Sequence, residues 1–279
     1  QYYKRTVSAP SAVPWTHSLI LPTRRGIPQA EVVAWCVALH RALVSRLEQA
    51  PASITGKYSS SAPKPANRVA IQYLQPVAMD RLEHGGFVLL LPSGLPAGDL
   101  DMIRTATARR IRLYRGADRE IVLDEAVPGS DPANFWPEPP EGLRHSWSPV
   151  SALMPETRRQ TSGRPRTLQE AAFLSVAFTF RDALEPVTAG HDRYGPLIDQ
   201  VVARGVRVTR TRLIGDSRIE RYAHKLPDTL VAQPYTALID LGDLAPSRAL
   251  IAIGQSRHLG GGLLQPLYSP FDPFEGGSV

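Results

Sequence analysis

Residues 249–266 read Ala249-Leu-Ile-Ala-Ile-Gly-Gln-Ser-Arg-His-Leu-Gly-Gly-Gly-Leu-Leu-Gln-Pro266. An apolar run ends at Gly254, and a polar, basic stretch follows (Gln255, Ser256, Arg257, His258). Gly260, Gly261 and Gly262 then lead into a second apolar run. This pattern predicts two strands, over 248–253 and 263–267, joined by a glycine-rich loop. Glycine accepts positive φ and lets backbone N–H groups approach a phosphate closely. Arg257 would add a charge-assisted donor. The same glycines equally suit a tight turn in a hairpin. The stretch is not a P-loop, because no Lys-Ser/Thr pair closes it and a strand, not a helix, follows.

Working outward, the second half opens with a strand near 147–154 and a basic loop carrying Arg158, Arg159, Arg164 and Arg166. A helix over 168–184 and strands over 206–214 and 236–241 follow. The first half has an apolar strand at 18–22, then a helix from Pro28 to about Glu48. Val32, Val33, Trp35, Cys36, Leu39 and Leu43 fall at helical spacing there. Strands are expected over 68–74 and 86–91, a helix over 96–112 with Asp99 as a possible cap, and a strand over 120–123. The order strand, helix, strand, strand, helix, strand is that of the split βαβ, or ferredoxin-like, unit. The second half repeats it with its second helix reduced to almost nothing. Pro128, Pro132, Pro137, Pro139 and Pro140 form a bridge between the halves. The expected class is α+β: two tandem ferredoxin-like (RRM-like) domains with a C-terminal glycine-rich loop. The expected division is a linker or tail over 1–14, a first domain over 15–127, the Pro-rich bridge over 128–144 and a second domain over 145–279.

The 279 residues are 43% hydrophobic and 21% charged, ordinary for a globular chain. The lone cysteine, Cys36, excludes an internal disulfide framework and any zinc site with two or more thiolates. It fits a reducing cytoplasm, the expected location. No apolar run reaches the 18 or so residues that span a bilayer, and no signal peptide is evident. Net charge is +6, with 32 Lys+Arg against 26 Asp+Glu. Between 204 and 225 lie Arg204, Arg207, Arg210, Arg212, Arg218, Arg221 and Lys225 against only Asp216 and Glu220. Such a run is either a solvated basic face or a contact for a polyanion.

The segment 249–266 resembles the C-terminal glycine-rich loop of the CRISPR repeat-associated RNA-binding (RAMP) superfamily, whose members carry one or two ferredoxin-like domains. Ser146-Trp-Ser-Pro-Val-Ser-Ala-Leu-Met-Pro155 resembles the Trp-x-Ser-Val-Thr-Pro-Val stretch of the fused backbone-plus-endonuclease subunit of type I-U (I-G) CRISPR systems. The block from Trp15 through the Thr55-Gly56 turn shares that subunit's spacing. The chain is thus similar, over nearly its whole length, to the C-terminal, repeat-endonuclease half of that fusion. The absence of a backbone-subunit half would explain an opening linker at Gln1. The resemblance implies CRISPR RNA as partner, other subunits of a type I effector complex alongside it, and no cofactor.

It also implies chemistry without metal. The 2′-OH beside the scissile phosphate attacks, giving a 2′,3′-cyclic phosphate and a 5′-OH. That reaction needs a general base, a proton donor for the departing 5′ oxygen, and positive charge on the phosphorane. No carboxylate pair or His/Cys cluster has convincing metal-ligand spacing. In the superfamily the histidine lies on the first helix or just after it, which points to His40, with Lys57 and Tyr58 following. His40 is equally readable as a partly buried helical histidine, and Tyr58 as a packing residue. The family's Ser-Gly-His turn and histidine-rich strand stand here as Thr55-Gly56-Lys57 and Asn67-Arg68-Val69. Either His40 or another histidine substitutes, or Lys57 and Tyr58 carry the reaction, or cleavage is lost. For RNA binding the expected residues are Arg257 with Gly254, His258, Gly260, Gly261 and Gly262, then Arg158 and Arg159, then Arg207, Arg210 and Arg212. His224, in Arg221-Tyr-Ala-His-Lys225, sits in a basic, aromatic patch suited to stacking and phosphate contact. Two alternatives stand beside the nuclease: a non-catalytic subunit that grips CRISPR RNA, and a small-molecule enzyme whose glycine loop holds a nucleotide phosphate.

Overall fold

The computed structural model describes residues 13–61, 64–76, 82–116, 119–157, 166–187, 194–216, 218–226 and 232–274. The first half runs β1 (Trp15–Pro22), α1 (Val32–Ser45), a short α2 (Ala52–Thr55), β2 (Ala70–Leu74), β3 (Gly86–Pro92) and α3 (Ala97–Thr107). A hairpin of β4 (Ile111–Arg115) and β5 (Arg119–Leu123) and a two-residue β6 (Val127–Pro128) complete it. The second half runs β7 (Arg144–Pro149), α4 (Leu168–Thr179), α5 (Tyr194–Ala203), β8 (Arg207–Leu213), β9 (Tyr235–Asp240) and β10 (Leu264–Ser269).

The two four-stranded sheets have the orders β2-β3-β1-β6 and β10-β7-β9-β8. Counted within each half, both orders are 4-1-3-2 with antiparallel neighbours, so the chain is two ferredoxin-like sheets in tandem. The fourth strand of the first sheet differs from expectation. The 120–123 segment pairs with 111–115 in a separate two-stranded sheet, and β6 takes the fourth position against β1. The expected helix therefore ends at Thr107: Ile111 and Leu113 are buried while Arg112 and Tyr114 are exposed, the alternation of a strand. Residues 249–253 are buried and carry a single bridge, Ala252 to Leu263, rather than a strand, and Arg248 lies in a turn. Helix α5 is additional. Pro96, not Asp99, stands at the N-cap position of α3, with no side-chain cap; Asp99 lies in its first turn and accepts from Ser53 Oγ at 2.6 Å.

The first sheet is buried on both faces, which is why β2 and β3 read as continuous apolar runs. Leu21, Ile71, Phe87 and Leu89 face α1 and the hairpin. Ala70, Leu74, Val88 and Leu90 face the second half, in one core with Trp147, Leu153 and Leu250 through Ile253. On the second sheet Tyr235, Ala237 and Ile239 join that core.

The glycine-rich loop closes the exposed edge of β2. Ile71 N–H donates to His258 O at 3.0 Å and Gly260 N–H to Ile71 O at 2.8 Å, a parallel bridge that continues the sheet by one rung. Gln72, fully buried, donates to Arg257 O at 2.6 Å and Gly261 O at 3.1 Å. The glycines are needed for this docking. A Cβ on Gly260 (φ 83°) would lie 2.9 Å from Cys36 Sγ and 3.1 Å from Val33 Cα, both on α1. One on Gly262 (φ 67°) would overlap the Ile253 carbonyl. Gly262→Ala therefore combines left-handed strain with a backbone clash and is expected to cost on the order of 3 kcal/mol. Gly98→Ala, at a helical site with nothing within 4 Å, is expected to add about 0.4–1 kcal/mol. Urea unfolding of the two variants measures both, and equal midpoints would contradict the assignment.

Candidate functional site at the seam of the two halves

Helix α1 carries His40 on its last turns, its Nε2–H donating to the Ile54 carbonyl at 3.1 Å. That carbonyl belongs to α2, whose exit turn Gly56 (φ 72°) leads to Lys57 and Tyr58. Arg68, just before β2, donates from Nη1 to the same carbonyl at 2.6 Å. A shared acceptor thus holds imidazole and guanidinium together. With Nε2 acting as donor, His40 Nδ1 is the nitrogen left to take a proton.

The opposite wall comes from the second half. Residues 219–221 pack on α1 and bring His224 beside it, and Gln255 Nε2 donates to the Lys225 carbonyl at 3.1 Å. Arg68, His224, Lys225, Gln255, Ser256 and His258 line a pocket of about 200 Å³. Burial depresses the His40 pKa below its ordinary 6.5, and the charges of Arg68, His224 and Arg41 press it further, against the Ile54 bond. His224 is held down by burial and by Arg41 and Lys225. Tyr58 is raised by burial while Arg68 opposes. The site therefore combines neutral imidazoles with permanent cations: bases beside positive charge, as attack on a phosphodiester requires.

Of the expected catalytic residues, His40 and Tyr58 each feel the charge of Arg68, and Lys57 is exposed, next to Tyr58 in the chain. The expected RNA-contact set divides. Arg158 and Arg159 lie outside the described residues. Arg207 is committed to Asp240 (2.7 Å) and Asp272 (3.0 Å) and lies over the Phe274 ring. Arg210 and Arg212 are exposed, with no ion pair among the described residues; Arg210 has φ 50° at a bulge in β8.

The glycine loop departs most from expectation. Gly254, Gly260, Gly261 and Gly262 are buried against protein, so their amides do not face an open phosphate site. Arg257, 7% exposed, donates to Glu156 (2.6 Å), Asn67 (3.1 Å), Gly254 O (3.1 Å) and Ala66 O (3.1 Å). Four acceptors occupy the guanidinium, so its task is to join the halves. His258 accepts the Arg68 N–H at Nε2 (3.3 Å), and burial and two arginines hold it well below 6.5. Arg68 and Arg41 were not singled out as site residues in the sequence. The only cue was Arg68 standing where the family carries histidines.

A larger cavity, about 550 Å³, lies elsewhere on the seam, between Tyr73, Trp136 and Tyr268. No histidine or carboxylate lines it, and its Arg248 is tied to Trp136 O and Glu138. Among the described residues, no helix is long and apolar enough to cross a membrane.

No protein-family model matches the chain, and no curated protein matches it. Solved structures similar to it include a Cas6 product complex, with a TM-score of 0.46 and 15% identity over 91% of this chain and 100% of that one. A second Cas6 product complex has a TM-score of 0.41 and 14% identity over 90% and 98%. Thermus thermophilus Cas6 has a TM-score of 0.38 and 16% identity over 92% and 100%.

Removing one member of the Arg257–Glu156 pair strands a buried charge. Arg257→Met is expected to cost about 3–5 kcal/mol, and Arg257→Met with Glu156→Leu to recover much of it. Equilibrium unfolding of the single and double variants checks the coupling; strict additivity would refute it.

Proposed function

We propose that the protein binds CRISPR repeat RNA in the cationic seam and cuts it without metal. The observation that carries this reading is the contact of His40 with Arg68 through the shared Ile54 carbonyl, Arg68 in turn lining one pocket, built by both halves, with His224 and Lys225. His40 Nδ1 takes the proton from the 2′-OH. The 2′ oxygen bonds to phosphorus as the P–O5′ bond breaks, and the 5′ oxygen leaves with a proton from Tyr58 or Lys57. The products are a 2′,3′-cyclic phosphate and a 5′-OH. Arg68 and Lys225 oppose the charge that builds on the phosphorane. No cofactor enters this scheme.

Within the same reading, the protein keeps the 3′ repeat hairpin after cutting and sits in a cytoplasmic type I effector complex. It corresponds there to the endonuclease half of the type I-G fusion. Support for this finer assignment is the Trp147 segment and the 249–266 loop, and nothing more specific. Arg210 and Arg212, exposed and free of ion pairs among the described residues, are assigned to the RNA backbone.

The experiment is single-turnover cleavage of repeat RNA in EDTA. A single cut, abolished by a 2′-deoxy substitution at the cut site, is the expected result. His40→Ala is expected to slow it about 10²–10⁴-fold, with Tyr58→Ala and Lys57→Ala identifying the proton donor. Because burial holds the His40 pKa below 6.5, the rate is expected to rise with pH through a midpoint below that value. Tight binding with RNA left intact would instead establish the non-catalytic, RNA-gripping subunit, and a midpoint above 6.5 would remove His40 as the base.

A further inference from the structure

The hairpin β4–β5 is surplus to the ferredoxin-like plan, because β6 already fills the fourth position of its sheet. Ile111, Leu113, Ile121 and Leu123 anchor one side of it in the core. The other side presents Tyr114 at 59% exposure, where the ring contributes little to the fold. Between this hairpin and α1 runs an open groove of about 480 Å³. Its floor is the small-residue face of α1, Ala34 and Ala38, and its walls carry Arg41, Tyr114, Arg115 and Arg119.

His224 closes one end of this groove and also lines the pocket beside Arg68, so the two spaces share a wall. The groove is cationic on balance. Glu31 meets both Arg119 (2.6 Å) and Arg115 (3.3 Å), one carboxylate for two guanidiniums, and Arg115 also lies over the Trp35 ring. Arg41 is exposed and has no ion pair among the described residues, and its field reaches both His40 and His224.

An exposed ring, a shallow floor and three guanidiniums facing one carboxylate along one track suit an unstacked nucleotide, whose base offers a π-face and whose phosphate offers charge. We infer that this groove is a nucleotide subsite next to the cut, where an unpaired base of the RNA stacks on Tyr114 and its phosphate meets Arg41 and Arg119. The inference rests on the ribonuclease reading above and adds a position to it. The β4–β5 hairpin then sets which unpaired nucleotide flanks the scissile bond.

The test is equilibrium binding of fluorescein-labelled repeat RNA, followed by anisotropy, for wild type, Tyr114→Ala and Tyr114→Phe. A panel of RNAs, each with one unpaired nucleotide made abasic, is the probe. Tyr114→Ala is expected to weaken binding roughly 5- to 100-fold, and Tyr114→Phe less than about 2-fold, since the ring is kept. One abasic position is expected to weaken wild type by a similar factor and to leave Tyr114→Ala no weaker than before. Thermal melting by circular dichroism verifies that the exposed-site variants fold. Wild-type-like affinity of Tyr114→Ala, or losses that couple to no position, overturns the subsite while leaving the nuclease reading in place. A wild type that neither binds nor cuts the RNA overturns both.

Discussion

An unpaired strand edge is the constraint from which the rest of the structure follows. β2 ends the first sheet, and the backbone groups of Ile71, buried on both faces, need partners. They find them in a loop from the far end of the chain. The same loop must pass within touching distance of α1, which admits no side chain at Gly260. Once it is seated, Arg257 is drawn into a buried cluster with Asn67 and Glu156. Gln255, Ser256 and His258 are left facing Arg68. The cationic pocket is thus a by-product of closing an edge.

Electrostatics within that pocket are one-sided. Arg41, Arg68 and Lys225 have no ion pair among the described residues; burial lowers the His40 and His224 pKa values first, with Arg68 and Arg41 adding to it at His40 and Arg41 and Lys225 at His224. Elsewhere the positive charge is largely spent. Arg204 pairs with Asp243, Arg207 with Asp240 and Asp272, and Arg218 and Arg221 with Asp216. A basic run in a sequence is therefore not a basic field in space.

Much of the fold could be read in one dimension because each half states its periodicities plainly. The α1 stripe of Val32, Trp35, Cys36 and Leu39 is buried as its spacing requires, and β2 and β3 are apolar because nothing leaves either face exposed. The β4 segment was illegible because Ile111 also continues the helical register of Leu100 and Ile103, and only Tyr114 and Arg115 reveal the alternation. Helix α5 begins Tyr-Gly-Pro, which mimics a turn. The position of His40 on the first helix was legible, but its bond to the Ile54 carbonyl was not. The role of the glycine loop was not, because the space a glycine frees can be filled by phosphate or by protein. Here the fillers are Val33 and Cys36, more than two hundred positions upstream of the glycine they touch.

The bond between the Arg68 amide and the His258 ring spans 190 residues of sequence. During synthesis, therefore, the first half emerges with its β2 edge open and its pocket lacking a wall until the last loop leaves the ribosome. Contacts this distant are slow to form and leave sticky intermediates behind them. A chain that lacks the 249–266 loop carries His40 and Arg68 but not the His258 wall that faces Arg68, so the order of the elements along the sequence makes this pocket one of the last features to assemble.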